Sequence, residues 1–475
     1  MTREQHVLVL GGGPGGYVAA IRLAQLGAAV TVVEENNVGG VCLNVGCIPS
    51  KALIHVGENL HHLKHHGPVT GIKTGEVELD WEQTQTFKND TVKTLTDGVR
   101  KLLKAWGVKL VMGRGVFTGP NACAVTLADG GEETIEFSHA IVATGSEPLE
   151  IPTFPFSHDR IGHSTHALSY DAVPDTLLVI GGGYIGMELG QMYAMLGTKV
   201  TVVELLPQIL AGADPEAIRW VGRNLRKLGI DILTGSKALG FEETDNGLAV
   251  TVETPKGEKT IEAQQVMVTV GRRPRSNDIG LDAAGVALDE RGFITIDDTM
   301  KTSVGNIYAI GDVTGTPYLA HRASAQGEIA AAYISGKPDA NMPTVDVIPA
   351  VTFTTPEIAM AGLQEHQAKE QGIAVKVGKM PYGGNGKAIA GGTPEGFIKL
   401  IADPKDDTLL GALVVGHEAS VMIGGLGVAI RKKLTAGDIG DTVHAHPTLG
   451  ELVMEAAKAV HGEAIHMAPM RKSRR

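Results

Sequence analysis

Short apolar runs punctuated by glycine set the rhythm of this 475-residue chain. Val7 to Leu10 is a β-branched run, followed by a glycine turn, a helix-length segment and a second apolar run that ends at Glu34. The same grammar returns from Leu177 to Glu204. Gly11 to Glu34 aligns without gaps to Gly181 to Glu204 at an offset of 170, with 12 of 24 positions identical. Each copy predicts a strand, a G-x-G-x-x-G turn, a helix and a second strand, a β-α-β unit of an α/β fold. Further apolar runs end in glycine or an acid: Ile141 to Gly145, Val266 to Gly271 and Asn306 to Asp312.

The residue types follow from what such a turn has to do. Gly11 and Gly181 permit the tight turn. Gly13 and Gly183 let backbone approach a pyrophosphate, and Gly16 and Gly186 let the helix pack on the strand. The helix N-terminus then faces the phosphates. Glu34 and Glu204 close the second strands, 18 residues after the last glycine, where a carboxylate can accept from a ribose hydroxyl. One such turn is a weak signal; two full copies with matching acids are a strong one, and a duplicated structural unit with empty sites is the weaker reading. Two dinucleotide sites in one chain imply a flavin and a nicotinamide, because hydride transfer needs a donor and an acceptor.

Composition narrows the field. Apolar residues are 43% and charged residues 20%, which excludes wholesale disorder. Glycine reaches 62 residues without a three-residue period, so tight turns rather than collagen are expected. With 42 basic against 53 acidic residues the net charge is −11, and aromatics are only 4%, which argues against a nucleic-acid partner. No basic leader precedes the first apolar run and no run of 18 apolar residues occurs, so a cytoplasmic protein without a membrane partner is expected.

Three cysteines cannot staple a chain of this length. Two of them lie in Gly39-Gly-Val-Cys42-Leu-Asn-Val-Gly-Cys47-Ile-Pro-Ser-Lys51. A structural disulfide closing so small a loop would contribute only about 2 kcal/mol. A zinc site needs about four ligands, and Cys123 is the only other thiol, so no metal is assigned. A redox-active dithiol fits best: Lys51 stands one helical turn beyond Cys47, and its charge and a helix N-terminus both favour a thiolate.

At this point the chain resembles the flavoprotein disulfide reductases over essentially its whole length. The stretches that carry the resemblance are GGVCLNVGCIPSKAL (39 to 53), GGGYIGMELG (181 to 190), VTVGRRP (268 to 274), IYAIGDV (307 to 313), AHRAS (320 to 324) and HAHPTLGE (444 to 451). The resemblance implies two Rossmann-like domains, for FAD and NAD, and a C-terminal α+β dimerisation domain. It implies a discontinuous FAD domain at 1–149 and 277–346, an NAD domain at 150–276 and a dimerisation domain at 347–475, whose Gly/Ala-rich Ile423 to Ala429 would pack closely in a homodimer.

It also implies roles. Cys42 exchanges with substrate and Cys47 sits against the flavin. Lys51 lies near the flavin ring and pairs with Glu188. Around FAD it places Gly11, Gly13, Gly16, Glu34, Glu35, Gly40, Val41, Gly115, Thr144, Gly145, Asp312 and the backbone of Ala320. Around NAD it places Gly181, Gly182, Gly183, Ile185, Gly186, Glu204, Ala238, Val270, Gly271 and Arg272, with Tyr184 gating the nicotinamide. His446 is the acid/base and Glu451 orients it. Arg322 departs from the lysine of many relatives. The implied reaction oxidises a dihydrolipoyl group on a carrier protein or on the acyltransferase core of a 2-oxo acid dehydrogenase complex, and passes hydride to NAD⁺. Other disulfide reductases of the family, and a non-catalytic flavoprotein subunit, are the alternatives.

Several residues admit a plainer reading. Thr448-x-x-Glu451 is also a capping box, so Glu451 has a structural role open to it as well. His444 is read as structural. His61, His62, His65 and His66 have metal-binding spacing but no adjacent acid, and read better as a solvated helix face. The basic tail Arg471 to Arg475 reads as a solvated end. After Glu204 the chain continues Leu-Leu-Pro-Gln-Ile-Leu without a cation, which favours NAD over NADP.

Overall fold

A computed structural model describes residues 6–339 and 342–468. The basic tail lies outside the described residues. Contacts divide the chain into two compact units, one of residues 1–181, 195–198 and 238–345, the other of residues 182–194, 199–237 and 346–475.

The first unit is built on a seven-stranded sheet in the order Ile307–Ala309, His139–Val142, His6–Leu10, Ala29–Glu34, Lys109–Gly119, Ala122–Leu127, Glu132–Glu136. The first four strands are parallel to one another, with Leu10 opposite Val33 and Val142, and Ala29–Glu34 also runs parallel to the start of Lys109–Gly119. A parallel strand is covered on both faces, which is why the run from Val7 to Leu10 is apolar throughout. Its side chains alternate: Val7 and Val9 enter one core with Leu23, Val32 and Ile329, while Leu8 and Leu10 enter another with Phe117, Val142 and Ile307. On the first face the helices Pro14–Gln25 and Ala320–Ile334 pack closely, because Gly15 and Gly327 present no side chain to each other's helix. The strands Thr176–Ile180 and Gln265–Val268 pair in parallel in the same unit, and Ser146–Pro148 pairs antiparallel with Arg272–Pro274.

The second unit contains the parallel pair Lys199–Glu204 and Asp231–Thr234, the helix Pro215–Lys227 and most of the helix Tyr184–Leu196. Its antiparallel sheet runs in the order Ala350–Thr352, Glu357–Gly362, Leu409–Gly416, Phe397–Ala402, Lys376–Pro381. Helices Ala419–Arg431 and Glu451–Val460 cover it through Ile423, Leu426, Leu452 and Ala456.

The helical stretch 40–65 is long and apolar enough to cross a membrane by length and composition. It is broken at Gly46 into Gly40–Val45 and Cys47–His65, and Leu43 and Ile48 are packed into the core of the first unit.

The second unit also buries an ion cluster. Lys399, with 4% of its side chain exposed, holds Glu365 at 2.6 Å, Asp214 at 3.1 Å and Glu216 at 3.3 Å. Lys379 pairs with Glu216 as well. Burial pulls the Lys399 ammonium down, but Glu365 and Asp214 outweigh it and hold the group above its ordinary value. Asp214 also caps the helix Pro215–Lys227 by accepting from Glu216 N–H at 2.7 Å. Removing the cation strips the buried Asp214 and the half-exposed Glu365 of the ammonium they share, while Glu216 keeps Lys379, so Lys399→Met should destabilise the protein by about 3 kcal/mol, read as a lower denaturation midpoint. A raised folded-state value means this contribution is present below pH ~10.4 and fades as pH climbs through the folded value. Parent and variant should therefore differ throughout the neutral range and converge only in strong alkali; equal midpoints at neutral pH would contradict this.

Candidate active site

The two glycine turns share the backbone geometry that their spacing predicts. Gly11 and Gly181 have φ of +105° and +106°, and a Cβ on them would stand 2.3 Å from the Ala143 carbonyl oxygen and 2.6 Å from that of Thr269. A Cβ on Gly16 would lie 1.9 Å from the Gly11 carbonyl oxygen, so only glycine allows the helix to sit there. Gly13 and Gly183 are different: a Cβ on Gly13 would meet only Gly40 Cα at 3.9 Å, and on Gly183 nothing within 4 Å. The space in front of these two is open to a ligand.

The acids are held alike in both copies. Glu34 accepts from Gly12 N–H at 2.7 Å and Asn36 N–H at 2.8 Å. Glu204 accepts from Gly182 N–H at 2.6 Å and Leu206 N–H at 2.7 Å. Two backbone donors fix each carboxylate, which keeps lone pairs for a ribose hydroxyl. Turn, open glycine and oriented carboxylate fit a dinucleotide in each copy.

The dithiol is fastened to the first turn. Gly39 N–H donates to the Gly12 carbonyl at 2.8 Å, and a Cβ on Gly40 would stand 2.7 Å from Gly13 Cα. Gly39 and Gly40 both take left-handed backbone, φ +96° and +57°, to make this approach. Asn44 braces the following helix by donating to the carbonyls of Gly40 at 2.9 Å and Val38 at 3.1 Å. Cys42 lies on that helix. Cys47 is the first residue of the next, with Pro49 in the first turn, where its missing N–H costs nothing. Val41 is exposed beside Cys42.

The pair is present as two thiols. The hydrogen bond to Cys47, and then burial, push the Cys42 thiol well up, while Lys51 acts in the opposite sense. Cys42 is therefore the thiol that keeps its proton, and Cys47 stands at the N-terminus of the next helix. Tyr17 is a neighbour that sequence reasoning missed: burial, and then its electrostatic coupling to Cys42, raise its phenol. Cys123 is buried and pushed up to about 11 by burial, beside Gly115, where a Cβ would strike Leu10 Cδ1 at 2.6 Å.

Other expected cofactor residues gather in the same unit. Thr144 Oγ1 donates to the Arg275 carbonyl at 2.7 Å, and Gly145 accepts from Arg275 N–H at 3.0 Å. Arg275 in turn holds Glu35 at 3.0 Å. Asp312 lies in the turn Gly311–Thr314, whose first N–H is held by the buried Gln326 side chain at 2.8 Å. Ala320 opens the helix Ala320–Ile334. Arg322 braces the chain after Asp312, donating to Gly315 O at 2.7 Å, to Pro317 O at 3.4 Å and to Thr314 Oγ1 at 3.3 Å. A guanidinium fork suits this better than a lysine. Gly271 has φ +142°, Val270 beside it is exposed, and Ala238 is half-buried on the strand Lys237–Thr244.

In the second unit Tyr184 and Ile185 open the helix Tyr184–Leu196, and Tyr184 is 42% exposed. Gly186 follows, buried. Glu188 is buried and accepts from Phe353 N–H at 2.9 Å. His446 Nδ1 is 2.9 Å from Glu451 Oε1, and Glu451 Oε2 accepts from Thr448 N–H at 2.9 Å. Glu451 thus meets the imidazole through one oxygen and the Thr448 backbone through the other. Those bonds, Thr448 first and His446 second, hold its carboxyl below the ordinary range. The capping box itself is half formed: the helix Glu451–Val460 is capped at Gly450, beyond the threonine, and Thr448 Oγ1 donates to Ala445 O. The bond 446–447 is cis. His446 is 79% exposed, so its second ring nitrogen faces outward. His444 Nδ1 is tied to the Thr442 carbonyl at 2.9 Å, in keeping with a structural role.

His61 and His65 pack ring to ring at 4.4 Å, and His62 and His66 at 5.4 Å, on a largely exposed helix end. Among the described residues no three histidine, cysteine or acidic side chains converge as metal ligands.

Residues 5–327 match the pyridine nucleotide-disulphide oxidoreductase family, and residues 348–457 match its dimerisation domain. The chain is 48% identical over 466 residues to a dihydrolipoyl dehydrogenase of Geobacillus stearothermophilus, covering 98% of each chain. It is 46% identical over 467 residues to that of Bacillus subtilis, again covering 98% of each. Its fold superposes on the crystal structure of LpdA from Mycobacterium tuberculosis with a TM-score of 0.89 at 27% identity, covering 96% of this chain and 99% of that one.

The glycine geometry separates folding from binding. Gly16→Ala places a methyl against a carbonyl and should lower stability sharply. Gly13→Ala meets ordinary contact, so it should fold with parental stability yet purify with depleted flavin. A Gly13→Ala protein with full flavin content would contradict the open-cradle reading.

Proposed function

The chain belongs to the pyridine nucleotide-disulphide oxidoreductase family, and from that premise we propose that it oxidises dihydrolipoyl groups carried by other proteins, with NAD⁺ as the final acceptor. One observation carries the reading: a dithiol at a helix N-terminus, fastened by backbone to one dinucleotide cradle, in a chain that bears a second cradle of the same construction. FAD, when bound in the first cradle, supplies the two-electron carrier between the dithiol and NAD⁺.

The protein's own residues do the following. Gly11, Gly13, Gly16 and Glu34 bind the flavin dinucleotide, with Asp312 and the Ala320 backbone on its polyhydroxyl chain. Gly181, Gly183 and Glu204 bind NAD⁺, and the absence of a cation in Leu205 to Leu210 disfavours a 2′-phosphate. His446, oriented by Glu451, takes a proton from a substrate thiol. The resulting thiolate attacks Cys42 of the Cys42–Cys47 disulfide, the S–S bond breaks, and Cys47 leaves as a thiolate, a good leaving group at a helix N-terminus. The second substrate thiol then displaces Cys42, closing the substrate disulfide and leaving the protein with both thiols. Lys51, one helical turn beyond Cys47, supplies positive charge near it.

The division into a FAD domain (1–149 and 277–346), an NAD domain (150–276) and a dimerisation domain (347–475) belongs to the same proposal. The helix Ala419–Arg431 presents Val421 and Val428 to the exterior, and nothing stands within 4 Å of a Cβ at Gly424 or Gly425, which suits close packing against a second copy. The exposed His446 fits a base that serves Cys42 of the twofold mate. The protein would act in the cytoplasm, and its partners would be a 2-oxo acid dehydrogenase core or a glycine-cleavage carrier.

The first test is turnover: dihydrolipoamide should reduce NAD⁺ with kcat/KM about a hundredfold or more above NADP⁺, since a carboxylate opposes the extra phosphate. No turnover with dihydrolipoamide, or parity between the nucleotides, would contradict the proposal. The second is subunit mixing. Cys42→Ser and His446→Ala homodimers should each be nearly inactive. Refolded together with FAD in equal amounts, about half the dimers are mixed, each with one intact site, so about a quarter of parental activity should return. Activity that stays at the level of the separate variants would rule out a shared site.

A further inference from the structure

One buried hydroxyl in the first unit joins two loops that the cofactor reading keeps apart. Ser146, 3% exposed, lies on the short strand Ser146–Pro148, paired antiparallel with Arg272–Pro274. Its Oγ donates to Asp312 Oδ2 at 2.6 Å. Arg272 Nε donates to the same Oγ at 2.7 Å, and Arg272 Nη2 donates to the Ser146 carbonyl at 2.7 Å. Tyr318 O–H donates to the Arg272 carbonyl at 3.3 Å.

The direction of these bonds is not free. A guanidinium has only donors, so it takes a lone pair of the hydroxyl, and the hydroxyl proton must point to the carboxylate. The chain guanidinium, hydroxyl, carboxylate is therefore polarised one way, and each link is charge-assisted. One end, Arg272, directly follows Gly271 in the loop expected at the nicotinamide dinucleotide. The other end, Asp312, is the carboxylate expected on the flavin's polyhydroxyl chain, and its backbone turn is pinned by Gln326 through Gly311 N–H at 2.8 Å. With Oδ2 committed to Ser146, Oδ1 is the oxygen left for the cofactor.

We propose that Ser146 is a positioning residue that aims the Asp312 carboxylate at the flavin and couples it, through Arg272, to occupancy of the nicotinamide loop. This rests on the cofactor reading above. Movement of the Gly271–Arg272 loop on NAD⁺ binding pulls on the hydroxyl that orients Asp312, so NAD⁺ changes how firmly FAD is held. By reciprocity FAD changes NAD⁺ affinity by the same factor.

The experiment measures FAD dissociation from the intact holoprotein, by flavin fluorescence in mild chaotrope, with and without NAD⁺, for the parent, Ser146→Ala, Ser146→Thr and Asp312→Asn. Loss of a hydrogen bond to a charged group predicts FAD affinity about tenfold or more lower in Ser146→Ala. It also predicts that the effect of NAD⁺ on FAD retention, present in the parent, disappears. Ser146→Thr keeps the hydroxyl and should restore both. Parental FAD retention and NAD⁺ response in Ser146→Ala would overturn the proposal. So would a Ser146→Ala defect that Ser146→Thr fails to rescue, since the serine would then only fill space in the hairpin. If Asp312→Asn also leaves FAD retention unchanged, the cofactor reading of Asp312 fails first; if Asp312→Asn loses FAD and Ser146→Ala does not, only the role of Ser146 fails.

Discussion

The arrangement depends on a close approach of backbone to backbone. The dithiol segment reaches the first glycine turn through the bond from Gly39 N–H to the Gly12 carbonyl, and through the meeting of Gly40 with Gly13. A side chain at Gly40 would separate them, and left-handed backbone at Gly39 and Gly40 makes the turn that brings them together. The consequences follow in order. The cradle fixes where the helix Gly40–Val45 begins, Gly46 breaks it, and Cys47 falls at the start of a new helix with Cys42 behind it. The turn expected to bind a dinucleotide therefore also sets the position of the reactive sulfur.

Much of this was legible in the sequence, because it rests on residues close together in the chain. The 170-residue repeat predicted two equivalent cradles, and the glycines and acids take matched geometry in both, down to the paired backbone donors on Glu34 and Glu204. The spacing of Thr448 and Glu451 predicted a capping box, and only one arm of it formed, because the helix begins at Glu451 with Gly450, not the threonine, at its N-cap.

What the sequence did not reveal joins residues far apart along it. Ser146 reads as one more turn residue until the fold sets it against Asp312, 166 positions away. Lys399 sits in an apolar strand where a charge is unexpected, and only the fold supplies Asp214 and Glu365. Gln326 likewise gains its role from the turn at Gly311. No periodicity or motif encodes such contacts; a charged or polar residue within an apolar run is the only local trace they leave.

The account holds that two cradles of one construction bind two different dinucleotides, and that each is read by its own carboxylate. Flavin content and NAD⁺ affinity of purified Glu34→Ala and Glu204→Ala test this most directly. Glu34→Ala should lose flavin on purification. Glu204→Ala should keep a full complement of flavin and lose affinity for NAD⁺ by about tenfold, as expected for a hydrogen bond to a charged group. If either substitution impairs both dinucleotides alike, or Glu204→Ala loses flavin while Glu34→Ala keeps it, the assignment of the two cradles is wrong.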